Sequence, residues 1–524
     1  MTTPRRHTFT LSLSLALLMA GSATMASAAS DVELRPVEIP AMGVSTVVPA
    51  EWVELGGGVF ARSEQPTDGT ILVVQSAPVG VDQLWRGLLP QLMLDAIPEP
   101  DGTLDTDGFQ WALYEVPVTV GERSVTVALA VAETGGATHL VLFQASPDTF
   151  ELLRDSVFIP AVEGFAILAP EPTADPATLG YLVEDVSFPG GDEGVDLAGT
   201  LTRPVGPGPH PAVVLMSGSG AQDRDESLRP ITTLKPFALI ADALTSAGLA
   251  VLRYDDRGVG GSSGDYAAAT IEDLAADGGA ALTFLRRRDD IDPARIGVLG
   301  HSEGGLLAAK LAAQDPEIAF VIGLATPATD GISVIAAQSE AVPRSAGIPE
   351  AEIELAVSFA ERALPLARDG DKAGLEEALR DHLGALWDAK SEADRLVLGD
   401  REAFVQRLVA SRLPGMLSPE YRSILAYDPG PDWQRVQAPV LGLFGGKDVQ
   451  VLGQPNAEAL RAALAAGGNE DAEIVVLPDA NHLFQSAETG AVGEYASLPP
   501  EFTPDLLPTI VAWLAEQLGL PGAS

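Results

Sequence analysis

Between the apolar run Arg295–Val298 and a following run rich in Leu, Ala and Lys, the chain reads Leu-Gly-His-Ser-Glu-Gly-Gly, residues 299–305. A strand entering and a helix leaving so short a junction must turn sharply, and a serine at its centre then stands at the tip of the turn. Gly300 and Gly304 suit that geometry, because side chains there would collide where strand and helix approach. The turn presents the Ser302 hydroxyl at the carboxyl edge of a sheet. It also aims the amide of Glu303, at the helix start, toward an anion forming on a bound carbonyl.

The surrounding rhythm supplies such a sheet. Beyond about Glu184, apolar runs ("AVVLM", "LAVLRY", "ARIGVLG", "FVIGLA", "APVLGLF", "AEIVVLP") alternate with helical ones ("KPFALIADALTSAG", "IEDLAADGGAALTFLRRR", "GGLLAAKLAAQ", "NAEALRAALAAGG"). That order predicts an α/β domain over 184–524, with a mainly parallel sheet and helices on both faces. A helical stretch with scattered charge, from about Val342 to Asp428, interrupts the alternation and reads as a cap over the sheet's carboxyl edge. Residues 29–165 differ. Short alternating runs such as "TILVVQSA", "SVTVALAVAE" and "THLVLFQAS", with helical segments near Asp82–Ala96 and Thr149–Phe158, predict a small α+β domain of antiparallel strands whose role is unknown. The Pro- and Ala-rich stretch at 166–183 reads as a linker.

Serine alone is a poor nucleophile and needs a base, normally a histidine oriented by a carboxylate. The chain has six His. His7 falls in the leader, His139 in the first domain, His210 before a strand, His301 inside the turn, His382 in the cap, and His482 after the last strand. The order Ser, acid, His favours His482, with His382 the other candidate. Asp448, just past the strand "VLGLF", stands between Ser302 and His482 and would hold the imidazole in one tautomer; the alternative is an ordinary loop acid. A second amide for the anion is expected after "AVVLM", where the chain reads "SGSGAQDRDE". Ser219 is the candidate, and a flexible turn the alternative. Arg224 is expected to tie this loop down by ion pairs, Asp256 and Arg257 of "YDDRGVGGSSGD" to be structural, and Ser262 and Ser263 to be bystanders.

From about Glu184 to Leu518 the chain resembles the EstD-type esterases of the α/β-hydrolase superfamily, through "SGSG.QDRDE", "RYD.RG.G.S.G", "GHSEGG", "G..D.QV" and "NHLFQ" in that order. The resemblance implies an α/β-hydrolase fold and a serine carboxylesterase of short acyl esters. It implies Ser302, Asp448 and His482 at the catalytic positions, no cofactor and no metal, and a small-molecule ester as substrate. A serine peptidase on the same scaffold and a non-catalytic binding protein are the competing readings.

Composition removes other classes. A formal charge of -41, from 73 acidic against 32 basic residues, argues against nucleic-acid binding, which needs a positive footprint. Zero Cys excludes thiol nucleophiles, zinc thiolate sites and iron–sulfur clusters. Arg5 and Arg6, the apolar run Leu11–Ala20 and the small residues Ala26, Ser27 and Ala28 form the pattern of a secretory signal at 1–28, which predicts an exported, periplasmic or extracellular protein with no stable membrane anchor. Oligomeric state is not legible.

Overall fold

The computed structural model describes residues 32–520, apart from 40–41, 57, 64–68, 78–79, 90–91, 93, 95, 121–122, 135–136, 169–178, 229–231, 392–394 and 396–397. The expected signal at 1–28 and most of the expected linker at 166–183 lie outside the described residues. The chain divides into two compact units, one of Met1–Thr173, Arg229–Thr233 and Lys390–Arg407, the other of Ala174–Leu228, Leu234–Ala389 and Leu408–Ser524.

The first unit is antiparallel. Its strands are β1 (Leu34–Ile39), β2 (Val44–Pro49), β3 (Val53–Gly56), β4 (Val59–Ala61), β5 (Ile71–Ala77), β6 (Gly102–Thr106), β7 (Phe109–Val120), β8 (Arg123–Thr134), β9 (Ala137–Ala145) and β10 (Ala166–Ile167). They form a seven-stranded sheet in the order β3-β4-β5-β9-β8-β7-β6 and a three-stranded one in the order β1-β2-β10. Strand alternation does the sorting. On β8, Val125, Val127, Leu129 and Val131 enter one core while Ala128, Ala130 and Ala132 enter another. The linker expectation is narrowed at both ends, because Ala166 and Ile167 pair with Ser45 and Val44, and Tyr181 already pairs with Pro204. Composition marks a Pro-rich stretch but cannot show which flanking residues find a strand partner.

The second unit holds β11 (Tyr181–Pro189), β12 (Asp196–Pro204), β13 (His210–Met216), β14 (Ala250–Tyr254), β15 (Ile291–His301), β16 (Val321–Leu324), β17 (Val440–Gly445) and β18 (Ala472–Leu477). They make one eight-stranded sheet in the order β11-β12-β14-β13-β15-β16-β17-β18. β11 and β12 form an antiparallel pair, β12 runs antiparallel to β14, and the remaining neighbours are parallel. The sheet is covered on both faces. Ala212, Val214 and Met216 of β13 join the core beneath helices Ile271–Arg286, Glu303–Gln314 and Gly453–Ala466. Val213 and Leu215 join the opposite core with helices Pro236–Ser246 and Leu506–Leu518. Burial on both faces explains why these strands read as continuous apolar runs.

After β16 the chain enters the helical insertion, with helices Gly331–Ser345, Glu350–Asp369, Lys372–Ala389, Arg401–Met416 and Pro419–Ala426. It opens at Gly331, earlier than the Val342 read from the sequence. Asp330 caps the first helix by accepting from the Ser333 amide, and the helix runs on through Pro343, which in a bare sequence reads as a boundary. The last helix ties back to the sheet layer, where the Ile271 amide donates to Ser423 Oγ at 3.0 Å.

Candidate active site

Four loops at the carboxyl ends of β13, β15, β17 and β18 converge, the edge where open α/β sheets bind ligands. At the end of β15 the backbone reverses within one residue. Ser302 has φ 51° and ψ −118°, a left-handed conformation that costs a non-glycine residue about 1–3 kcal/mol. Its amide donates to Leu324 O at 2.8 Å and its carbonyl accepts from the Gly305 amide at 3.0 Å. The glycines make the approach possible. A Cβ on Gly300 would overlap the carbonyl oxygen of Gly304, and one on Gly304 would overlap the carbonyl oxygen of Met216. Gly305 is needed as well, since a Cβ there would overlap Thr326 Oγ1.

Asp448 and His482 come together on adjacent strands' loops. Asp448 Oδ2 lies 2.7 Å from His482 Nδ1, and Oδ1 accepts from the Gln450 and Val451 amides at 2.8 and 2.9 Å. Two backbone donors and an imidazole fix that buried carboxylate as an acceptor, so Nδ1 carries the proton and Nε2 is left as the basic nitrogen. The His482 ring lies beside that of His301, the residue preceding Ser302, with centroids 4.8 Å apart. The other histidines are elsewhere: His139 packs between Phe109 and Phe165, His210 opens β13, and His382 stacks on Phe359 at 4.4 Å. Burial, with Arg412 nearby, holds the His382 ring down to about 4.

The loop after β13 passes Ser302 closely enough that a Cβ on Gly218 would lie 3.3 Å from Ser302 Cβ. Its shape is imposed by the loop after β14. Ser217 Oγ and the Gln222 amide both donate to Asp256, at 2.9 Å, while Arg224 grips Asp255 through its amide, Nε and Nη2. Arg257 is likewise structural, bonded to Asp277, Asp192 and the Asp273 carbonyl. Ser262 bridges Ala198 and Asp255 rather than the site. Ser219 is exposed at the tip of this loop, and among the described residues no hydrogen bond engages its amide. The Gly218 amide, by contrast, donates to Glu226 Oε1 at 2.8 Å.

A model of the family described as serine aminopeptidase, S33, matches residues 232–346, which carry the strand β15, the Ser302 turn and the helix after it. The fold is that of the α/β-hydrolases. Among proteins similar to this chain is Esterase EstD of Thermotoga maritima, 29% identical over 307 residues, 58% of this chain and 61% of that protein. The chain thus spans about three fifths of the length of that relative. An uncharacterized Mycobacterium tuberculosis protein is 37% identical over 130 residues, 25% of this chain and 41% of that one. The structure of the Pyrococcus furiosus esterase Pf2001 superposes with a TM-score of 0.39 at 16% identity, covering 67% of this chain and 95% of that one.

Behind Ser302 the chain buries an acidic group that the sequence left without a role. Glu303 is 4% exposed, and among the described residues its carboxyl has the Tyr266 hydroxyl as polar neighbour and no ion-pair partner. Burial, followed by the neighbouring Glu420 and Asp256, pushes its carboxyl well above the usual range, which favours the protonated form. Burial also pushes Asp256 up to about 8. Glu303 and Asp256 line one small cavity with Tyr254, Tyr266, Asp277 and Ser217. Sequence reasoning took only the Glu303 amide; the acidic residue inside an otherwise apolar helix face was the available signal.

Proposed function

We propose that this hydrolase is a serine carboxylesterase that cleaves short-chain acyl esters through an acyl-enzyme. The observation that carries the reading is the buried Asp448–His482 hydrogen bond of 2.7 Å at the sheet edge where Ser302 occupies its strained turn. In this reading His482 Nε2 takes the Ser302 hydroxyl proton as Oγ attacks the ester carbonyl, and Asp448 stabilises the imidazolium that forms. The amides of Ser219 and Glu303 donate to the developing oxyanion. Collapse breaks the bond to the alcohol oxygen, which leaves with the proton from His482; water then repeats the sequence on the acyl-enzyme and releases the acid. No cofactor enters these steps. The similarity to Esterase EstD supports the ester class, and in this reading the helical insertion that opens at Gly331 caps the acyl pocket. Export with removal of residues 1–28 belongs to the same proposal, and N-terminal sequencing of secreted protein tests it.

One observation favours a second reading, a serine peptidase. Glu420 on the insertion's last helix interacts electrostatically with Glu303 and Tyr266 behind the nucleophile, and an acidic group from a cap is what recognition of a substrate ammonium requires. Purified protein assayed on p-nitrophenyl acetate and butyrate beside aminoacyl p-nitroanilides separates the two. Higher kcat/KM on the esters is expected. Higher efficiency on the anilides would replace the esterase reading with the peptidase one.

A further inference from the structure

The esterase motifs contain two residues to which the mechanism above gives no task, the Glu of "QDRDE" and the His of "GHSEGG". They meet in space. Glu226 Oε1 lies 2.8 Å from His301 Nδ1 and also accepts from the Gly218 amide at 2.8 Å, while His301 Nε2 lies 2.9 Å from the carbonyl oxygen of His482. We propose that Glu226 and His301 are a positioning pair, an imidazolium and carboxylate that lock the oxyanion loop, the nucleophile turn and the His482 backbone into one register. The inference rests on the reading of Ser302, Asp448 and His482 as the reacting set.

Hydrogen bonding and neighbouring charge together set the protonation. A carbonyl oxygen only accepts, so Nε2 must carry a proton. On the other side Oε1 already receives an N–H from Gly218, and Nδ1 completes the contact by donating as well. Moving that proton onto Oε1 would give a neutral acid and a neutral ring with the same contacts, and the negative charges of Glu226 and Asp448 beside His301 favour keeping it on Nδ1, as an imidazolium that donates to both acceptors. Both groups are sealed off, with Glu226 1% and His301 5% exposed, and an isolated charge in that setting would be costly. Among the described residues Glu226 Oε2 has no hydrogen-bond partner, and Glu226 lines an apolar cavity with Pro236, Ile240, Leu324 and Phe484, so the contacts the described residues give its carboxylate are those with His301 and Gly218. The charged or titratable groups facing His301 are Glu226 on the loop after β13, Asp448 on the loop after β17 and His482 on the loop after β18. Burial opposes the His301 charge, yet these neighbours raise the ring above its ordinary value.

Strain marks the same network. The non-glycine residues with positive φ among those described are Glu226, Ser302, Ala325 and Phe484. Glu226 is one member of the pair, Ser302 follows the other, Phe484 lies two residues past His482, and Ala325 follows the carbonyl that holds the Ser302 amide. Such conformations persist only where surrounding contacts over-determine them.

Glu226→Gln keeps an acceptor for the Gly218 amide but removes the countercharge, leaving His301 neutral and one of its two contacts unmade. With p-nitrophenyl butyrate, kcat should fall about tenfold or more near pH 8 with KM little changed, the scale of one charge-assisted hydrogen bond. That deficit should shrink as pH falls toward about 5 and His301 of the variant regains its second proton. Glu226→Asp keeps the charge on a shorter arm, and its deficit should be the same at every pH. A Glu226→Gln deficit independent of pH, or below about twofold, overturns the inference. Should that variant fail to fold, nitrogen NMR of histidine-labelled wild type decides: both His301 ring nitrogens protonated near pH 7 is the expected result, and one bare nitrogen overturns the pair. Labelling of Ser302 by a fluorophosphonate in wild type separates the outcomes. If labelling and ester hydrolysis are absent, the esterase reading has failed; if both are present and the pH signature is missing, this inference alone has failed.

Discussion

Asp448 Oδ2 reaches Nδ1 of His482 at 2.7 Å across 34 residues of sequence, and its side chain is wholly shielded from solvent. The Gln450 and Val451 amides hold the other oxygen, so the carboxylate cannot rotate away. Asp448→Asn should therefore fold normally while losing catalysis, because the amide nitrogen would donate to Nδ1 and stabilise the wrong tautomer. A fall in kcat of roughly ten-thousandfold is expected on p-nitrophenyl butyrate, with an unchanged thermal transition. A variant within tenfold of wild type would remove Asp448 from the mechanism.

Ser302→Ala should cost on the order of a millionfold in kcat, since nucleophile and base act as a unit. Mass spectrometry after fluorophosphonate treatment should place the adduct on Ser302 in wild type and find none in Ser302→Ala. His482→Ala should label far more slowly than wild type. An adduct at Ser262 or Ser263 instead would relocate the nucleophile.

Two glycines give a sharp contrast in stability. Gly304→Ala drives a Cβ into the backbone carbonyl of Met216, which cannot swing aside as a flexible side chain could. Gly279, inside helix Ile271–Arg286, has open space apart from Leu311 Cδ2 at 3.5 Å. Urea unfolding should show Gly304→Ala destabilised by about 3 kcal/mol or more and Gly279→Ala stabilised by about 0.5–1 kcal/mol. Equal effects would mean the turn has more slack than its geometry shows.

The sheet was legible because β13 to β17 are buried on both faces, so their residues form unbroken apolar runs between helical ones. The turn at Ser302 was legible because strand and helix meet there within a few residues, where a Cβ on Gly300 would strike the Gly304 backbone. What escaped were partnerships across the chain. Arg224 stands between two acids in sequence yet pairs with Asp255, on the loop after the next strand. His301 and Glu226 are 75 residues apart, and nothing local to either reveals the other. The antiparallel pair β11–β12 at the sheet's edge also went unread, because its exposed face alternates with polar residues and breaks the apolar pattern.

Glu420 discriminates between ester and amine recognition. If the substrate is an uncharged ester, Glu420→Gln should leave hydrolysis of p-nitrophenyl butyrate within about threefold of wild type, about 0.7 kcal/mol. If the hydrolase is a peptidase that grips an ammonium, the same variant should lose activity on an aminoacyl anilide by tenfold or more while its ester rate stays. Parallel kcat/KM measurements on the two substrates read the difference directly.

Glu303 makes the pH dependence of stability opposite to that of most carboxylates. Burial raises its carboxyl well above its ordinary value of 4.5, and Asp256 is raised by burial to about 8. Above about pH 4.5 the unfolded chain has released protons that the native state still holds, so the native state binds more protons and stability falls as pH rises. Each such group contributes a slope of up to about 1.4 kcal/mol per pH unit. Glu303→Gln replaces the protonated acid by a neutral group of the same shape and removes that group's share of the slope. The extra N–H of the amide carries a burial cost, but the same one at every pH, so the informative quantity is the change with pH. Urea unfolding at about pH 4.5 and about pH 8 should show the variant gaining on wild type at the higher value. A wild-type-minus-variant difference that is constant, or that moves the other way, would mean that Glu303 ionises in the native state and has a partner for its charge.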